Sequence, residues 1–97
     1  MNTKEHYVDT LRKFVAEHGK EYEIKKMGIF GSVARGEQTE TSDVDIYYEG
    51  PALGIKSLSG LPLALSEYLG ASVDVVREHS GLNSFLRTRI MKEVIYV

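Results

Sequence analysis

The stretch from Gly31 to Tyr48 constrains the fold of this 97-residue chain more than any other. It opens with Gly31-Ser32 at the end of a short apolar run, and it closes with a second apolar run that carries Asp43 and Asp45. Residues two apart on a β-strand point to the same face, so the two aspartates are predicted to share a face. The opposite face is predicted to carry the apolar side chains of Val44, Ile46 and Tyr48. The pattern predicts a half-buried strand with one acidic side.

Two neighbouring carboxylates repel each other, and a divalent metal ion is the usual source of compensation. Gly31 allows the backbone to turn and to approach a ligand closely. The turn or two of helix predicted from Ser32 to Arg35 would offer unpaired N–H groups to an anion. A metal site beside a phosphate site predicts nucleotide chemistry.

Length and composition predict a single domain over residues 1–97, because a chain of this size can bury only one modest core. A net charge of −2 argues against avid, direct nucleic-acid binding. The absence of cysteine excludes disulfides and thiolate metal sites. The sequence has neither a membrane-spanning apolar run nor a signal peptide, so we expect a cytoplasmic protein that does not bind membranes.

Helical periodicity marks three helices. The first is predicted to be capped by Asn2 or Thr3 and to end with Gly19 in a left-handed turn. The second is predicted to begin near Ser59, because Pro62 is tolerated only in the first turn, and to end before residue 70. The last is predicted to open at residues 81–83 and to bury one apolar face, formed by Leu82, Phe85, Leu86 and Ile90.

Four segments read as strands: 23–30, 43–49, 72–77 and a short run over 94–97. The polar loop 37–42 would return the chain so that the second strand lies antiparallel to the first. Because helices and strands alternate, we predict an α/β (α+β) fold with a mixed sheet of three or four strands packed against helices.

Several polar residues allow more than one interpretation. Asp74 lies between valines on a strand expected to be central, where a buried carboxylate needs a partner; the alternatives are an exposed edge position or an ion pair with Arg77. Arg35 is equally compatible with a phosphate contact and with an ion pair to Glu37 or Glu40. Three histidines stand alone in the sequence and are predicted to be structural: His6, His18 and His79.

The string GSVARGE followed by SDVDI resembles the signature of the DNA polymerase beta-like nucleotidyltransferase superfamily. It is most similar to the smallest branch, the minimal nucleotidyltransferases (MNT) that are paired with HEPN-domain toxins. The resemblance covers nearly the whole chain, including residues 70–76 and 89–97.

This resemblance implies a small nucleotidyltransferase palm in which Asp43, Asp45 and Asp74 form the catalytic triad. The triad would hold two Mg²⁺ ions, or Mn²⁺, about 3.5–4 Å apart, and Asp74 would also accept the proton of the incoming hydroxyl. Gly31 and Ser32 would bind the nucleotide phosphates, with Arg35 as a further candidate.

The resemblance also implies an antitoxin that transfers AMP from ATP to a tyrosine of a HEPN ribonuclease toxin. A palm alone lacks an acceptor-binding domain, so a partner or a second copy of the chain would have to supply that surface in a homo- or hetero-oligomer. Two other functions are compatible with the sequence: a non-catalytic antitoxin that neutralises the toxin by binding, and a nucleotide-binding regulator.

Overall fold

The computed structural model describes residues 3–51 and 55–97, with side chains of the second range from residue 60 onward. Its elements are, in chain order, α1 (Lys4–His18), β1 (Lys26–Phe30), α2 (Gly31–Ala34), β2 (Val44–Glu49), α3 (Ile55–Leu69), β3 (Val73–Arg77), α4 (Ser84–Glu93) and β4 (Ile95–Tyr96). The α+β architecture with a mixed four-stranded sheet confirms the predicted fold class. Within these ranges, none of the helices combines the length and the hydrophobicity that crossing a membrane requires.

The sheet has the strand order β3-β2-β1-β4. Strand β1 is antiparallel to both β2 and β4, as predicted for β2, whereas β2 and β3 are parallel. The prediction that Asp74 lies on a central strand is wrong, because β3 occupies an edge of the sheet. Asp74 is exposed there, which agrees with the edge-strand alternative.

The main core lies between α1, α3 and one face of the sheet. The prediction for β2 is confirmed: Val44, Ile46 and Tyr48 are at most 3% exposed and belong to this core. Apolar residues of the helices complete it from the other side: Tyr7, Leu11, Phe14, Leu61, Leu65 and Leu69. The apolar residues that alternate along β2 and those that recur at helical spacing along α1 therefore pack into one apolar layer.

A second, smaller cluster covers part of the opposite face of the sheet. It is centred on Phe30, Tyr47 and Ile90, which come from β1, β2 and α4. Leu82 and Leu86 pack against it as predicted, but Phe85 is 86% exposed, so its assignment to the buried face is wrong. Asn83 begins α4 by accepting hydrogen bonds from the Phe85 and Leu86 N–H groups, so Phe85 lies in the first turn of the helix.

The first helix begins as predicted and ends differently. Thr3 caps α1 by accepting a hydrogen bond from the His6 N–H, whereas Asn2 lies outside the described residues. Gly19 has right-handed φ and ψ of −57° and −39°, so the predicted left-handed turn at Gly19 is wrong. The left-handed residue is Glu23, at φ 54°, and the Ile24 N–H bonds back to the Gly19 carbonyl.

The prediction that α3 begins near Ser59 is also wrong, because the helix starts at Ile55 and includes Pro62 in its interior. A proline inside a helix removes one backbone hydrogen bond. Apolar packing of Leu61 and Leu65 against the core offsets that loss. The rule that proline is tolerated only in the first turn does not include this tertiary packing.

Candidate active site

The turn between β1 and α2 is the centre of the candidate site. Gly31 follows β1 with φ +75°, a backbone conformation that residues other than glycine rarely adopt. A Cβ atom at Gly31 would collide with the Asp45 Oδ2 atom. Glycine is thus required twice, for the turn and for the close approach of the turn to the Asp45 carboxylate.

The sheet register brings the predicted carboxylates into one neighbourhood. Asp45 is paired with Phe30 of β1 on one side and with Asp74 of β3 on the other. Asp43 lies immediately before β2 and is exposed. Burial raises the pKa of Asp45 above its ordinary value, and the charges of Asp74 and Asp43 raise it further. The three aspartates therefore interact electrostatically, and a cation among them would relieve the repulsion.

The donor chemistry of this group suits a hard divalent cation, since carboxylate oxygens are the ligands that Mg²⁺ prefers. The carboxylates are not arranged around one point, however. Within residues 3–51 and 55–97, no three His, Cys, Asp or Glu side chains are placed to hold a metal ion. The three aspartates thus fit a metal by their oxygens and their mutual repulsion, although the side chains would have to reorient.

Ser32 lies in α2, next to the turn, and is half-buried. Its hydroxyl makes no hydrogen bond to any group that the structure describes. The hydroxyl is therefore available to a ligand placed against the turn. Ser42 has a different role, since its Oγ atom accepts a hydrogen bond of 2.9 Å from the Thr39 N–H and closes the loop before Asp43.

Arg35 forms two ion pairs. Its Nε donates to Glu37 Oε2 at 2.8 Å, and its Nη1 donates to Glu93 Oε2 at 2.8 Å. The pair with Glu37 matches one of the sequence alternatives, the pair with Glu40 does not occur, and the phosphate contact stays a prediction. A guanidinium has five N–H donors, so three of them are not used by these two pairs.

Sequence reasoning missed Glu93. This residue closes α4, yet its Oε1 atom accepts a hydrogen bond of 2.9 Å from the Gly31 N–H. The Arg89 Nε atom lies 3.7 Å from the same Glu93 carboxylate. The charge of Arg89 also lowers the pKa of Asp45, but burial, which raises that pKa, has the larger effect. The sequence separation of 62 between Gly31 and Glu93 explains the miss, because no local pattern connects residues that far apart.

A separate polar network lies at the other end of the same face of the sheet. Glu78 accepts hydrogen bonds from the Tyr47 hydroxyl and from two nitrogens of Arg87. The Arg87 hydrogen bonds lower the pKa of Glu78 to about 2. This network holds the Tyr47 hydroxyl and the Arg87 guanidinium in place.

The predicted structural role of the histidines agrees with their surroundings. The His79 Nδ1 atom accepts a hydrogen bond from the Gly81 N–H, and the His18 ring contacts Phe14 and Tyr68. His6 packs edge-on against Tyr7.

An open, polar cleft of about 430 Å³ borders Asp43. The loop before β2, the turn before β3 and the start of α1 line it through Thr39, Thr41, Ser72 and Tyr7. The carboxylate end of β2 is thus accessible to a molecule several times larger than water.

The sheet thus presents paired aspartates beside a glycine–serine turn, the arrangement from which the sequence predicted nucleotide chemistry. Comparisons with known proteins identify the family of the chain. The nucleotidyltransferase domain family model matches residues 8–97. The chain is therefore a member of the nucleotidyltransferase domain family, which confirms the resemblance.

Two relatives match across almost their whole lengths. A candidate protein adenylyltransferase of Methanocaldococcus jannaschii is 38% identical over 100 residues, covering all of both chains. The protein adenylyltransferase MntA of Thermococcus cleftensis is 35% identical over 97 residues, covering 93% of this chain and 95% of MntA. These relatives place the chain beside transferases.

Solved structures share the fold. A candidate minimal nucleotidyltransferase superposes with a TM-score of 0.73 at 35% identity, covering 91% of this chain and 93% of the other. A toxin–antitoxin complex with AMP-PNP also gives a TM-score of 0.73, at 21% identity, covering 91% of this chain and 69% of the matched chain. At that identity the second match demonstrates the fold alone.

Proposed function

We propose that this protein transfers AMP from ATP to a tyrosine hydroxyl of a HEPN ribonuclease toxin and thereby acts as an antitoxin. The observation that carries the proposal is the register that sets Asp45 between the Gly31 turn and Asp74. Relatives named protein adenylyltransferase support the reaction type. Toxin–antitoxin complexes among the proteins of the same fold, one of them with AMP-PNP, support the partner and the nucleotide.

The proposed reaction is an in-line displacement at the α-phosphorus of ATP. The tyrosine oxygen forms the new P–O bond, the bond from the α-phosphorus to the bridging oxygen breaks, and pyrophosphate leaves with the electron pair. Asp74 accepts the proton of the tyrosine hydroxyl as the new bond forms. Ser32 donates a hydrogen bond to the β- or γ-phosphate, which becomes part of the leaving group.

Asp43, Asp45 and Asp74 would hold Mg²⁺, two ions being expected, with Mn²⁺ as a substitute. When bound, the metal would neutralise charge on the phosphoryl oxygens and on the leaving pyrophosphate. The residues of the chain position the reactants: Gly31 keeps the turn close to Asp45, and Arg35 has three N–H donors left for a phosphate.

Adenylylation would suffice to silence a ribonuclease. The added phosphodiester introduces negative charge at a place where an RNA phosphate must bind, and the adenosine adds bulk at its entrance. A covalent product would keep the toxin inactive without a permanent complex.

Intact-mass spectrometry of the partner tests this proposal directly. The protein is incubated with its HEPN partner, ATP and Mg²⁺, with matched reactions that lack metal or use Asp43→Asn, Asp45→Asn or Asp74→Asn. We expect a mass increase of one or more AMP units, absent from every control, and loss of the increase when the acceptor tyrosine is replaced by phenylalanine.

A partner that is inhibited without any change of mass would contradict transfer and support the non-catalytic antitoxin. Binding of ATP without any effect on a HEPN protein would instead support the nucleotide-binding regulator.

A further inference from the structure

Glu93 connects two parts of the candidate site that no other described side chain connects. Its Oε1 atom accepts from the Gly31 N–H at 2.9 Å, and its Oε2 atom accepts from Arg35 Nη1 at 2.8 Å. One carboxylate at the end of α4 thus holds both the first residue of the turn and the cation that follows the turn.

The environment makes these bonds stronger than ordinary surface contacts. The Glu93 side chain is only 16% exposed, against 64% for Glu37, the other partner of Arg35. Hydrogen bonds to a charged acceptor are roughly twice as strong as neutral ones, and partial burial reduces their screening by water.

We infer that Glu93 is a positioning residue for the nucleotide: it fixes the Gly31 turn and orients Arg35 so that its remaining N–H donors face the phosphates. The inference rests on the proposed nucleotide site. It also assigns the Gly31 N–H to Glu93 rather than to a phosphate, which leaves Ser32 and Arg35 as the phosphate-binding groups of the turn.

Charge alone and positioning by Glu93 predict opposite changes in nucleotide affinity when Glu93 is replaced, so the sign of the change tests the inference. Removing a negative charge close to an anion site should strengthen the binding of a triphosphate if charge alone matters. If Glu93 positions the turn and Arg35, its replacement should weaken binding despite that gain.

The test is calorimetric titration of the full chain with AMP-PNP and Mg²⁺. Glu93→Gln and Glu37→Gln form a matched pair, because each removes one carboxylate charge from Arg35 and only Glu93 also contacts Gly31. We expect binding about threefold weaker for Glu93→Gln, about tenfold weaker for Glu93→Ala, and within about twofold of wild type for Glu37→Gln.

Hydrogen exchange of the Gly31 amide, measured by NMR without nucleotide, supplies a second readout. Exchange should be faster in Glu93→Ala and close to wild type in Glu93→Gln, whose amide oxygen can still accept the hydrogen bond. If Glu93→Ala does not fold, the nucleotide affinities of the matched variants Glu93→Gln and Glu37→Gln still decide the matter.

Nucleotide binding by either Glu93 variant that equals or exceeds wild type would overturn the inference, and tighter binding would identify Glu93 as a competitor of the phosphate. Absence of nucleotide binding by the wild-type protein would overturn the proposed function together with this inference. Wild-type binding with unaffected variants overturns the role of Glu93 alone.

Discussion

The two faces of the sheet use alternate residues of the same strands for opposite purposes. The face toward α1 and α3 is apolar throughout β2, where Val44, Ile46 and Tyr48 are buried. The face toward α4 is divided: Tyr47 is buried at one end, whereas Asp45 lies at the other end beside the acidic neighbours that raise its pKa.

This difference shows how one strand can serve both stability and chemistry. Because side chains alternate along a strand, the repulsion among carboxylates on one face does not disturb the packing on the other. A large apolar core on one side can therefore support a destabilising charge cluster on the other, an arrangement expected at functional sites.

The largest expected effect comes from removing charge on the acidic face. The double change Asp43→Asn with Asp45→Asn should slow AMP transfer by about 1,000-fold, because metal stabilisation of phosphoryl charge contributes several kcal/mol. The rate of mass increase of the acceptor protein measures this loss.

The same variant should be as stable as the wild type or more stable. The pKa of Asp45 is raised in the folded state, so the free energy of unfolding falls as pH rises through that pKa, and asparagine removes the decrease. Mg²⁺ with ATP should raise the Tm of the wild type by mass action and leave the variant unchanged. A variant that unfolds more easily would indicate that the carboxylates are structural.

The next largest effect belongs to the apolar face. Ile46→Ala should lower the free energy of unfolding by about 3 kcal/mol, because it opens a cavity at a position that is 0% exposed. Urea denaturation measures this loss. Leu63→Ala is the matched control, since Leu63 is 61% exposed and its truncation should be nearly neutral. Equal destabilisation by both changes would refute the assignment of Ile46 to the buried apolar core.

A smaller effect separates Ser32 from the carboxylates. Ser32→Ala should weaken the binding of ATP by about 2 kcal/mol, the contribution of one hydrogen bond to a charged group. Binding of Mn²⁺ without nucleotide should not change. Ser42→Ala, which alters a loop hydrogen bond instead, should bind ATP normally; equal affinity of Ser32→Ala and wild type would place Ser32 outside the phosphate site.

The smallest effect tests the far end of the α4 face. The pKa of Glu78 is lowered from 4.5 to about 2 by Arg87 and Tyr47, so its stabilising contribution is present above the ordinary pKa and is lost as pH falls toward 2. Glu78→Gln should cost about 1 kcal/mol at pH 7, and the difference from wild type should shrink between about pH 4.5 and 2. Chemical denaturation at several pH values measures the difference; a constant difference would contradict the ionic role.

Local patterns predicted much of this molecule. Alternation along β2 identified the acidic and apolar faces, and helical spacing found α1 and its Thr3 cap. Gly31 indicated the turn, which its φ of +75° confirms, but the close approach predicted there was to a ligand, whereas the structure places the Asp45 carboxylate against it. The roles of the site residues in binding and catalysis stay predictions.

The features that sequence reasoning missed depend on tertiary contacts. Strand order decides whether Asp74 is central or at an edge, and no single strand encodes that order. Packing of α3 against the core allows the helix to continue on both sides of Pro62. Glu93 reaches Gly31 only because α4 folds back across the sheet.

The edge position of β3 gives Asp74 a consequence for solubility. An edge strand offers unpaired backbone groups to other chains, and a charge on such a strand discourages this pairing. Strand β3 is otherwise rich in valine, with Val73, Val75 and Val76. Replacing Asp74 with an apolar residue would thus remove a candidate metal ligand and a barrier to aggregation together. Loss of activity in such a variant can be interpreted only beside light-scattering data. Asparagine, which stays polar, or glutamate, which keeps the charge, is the better substitution.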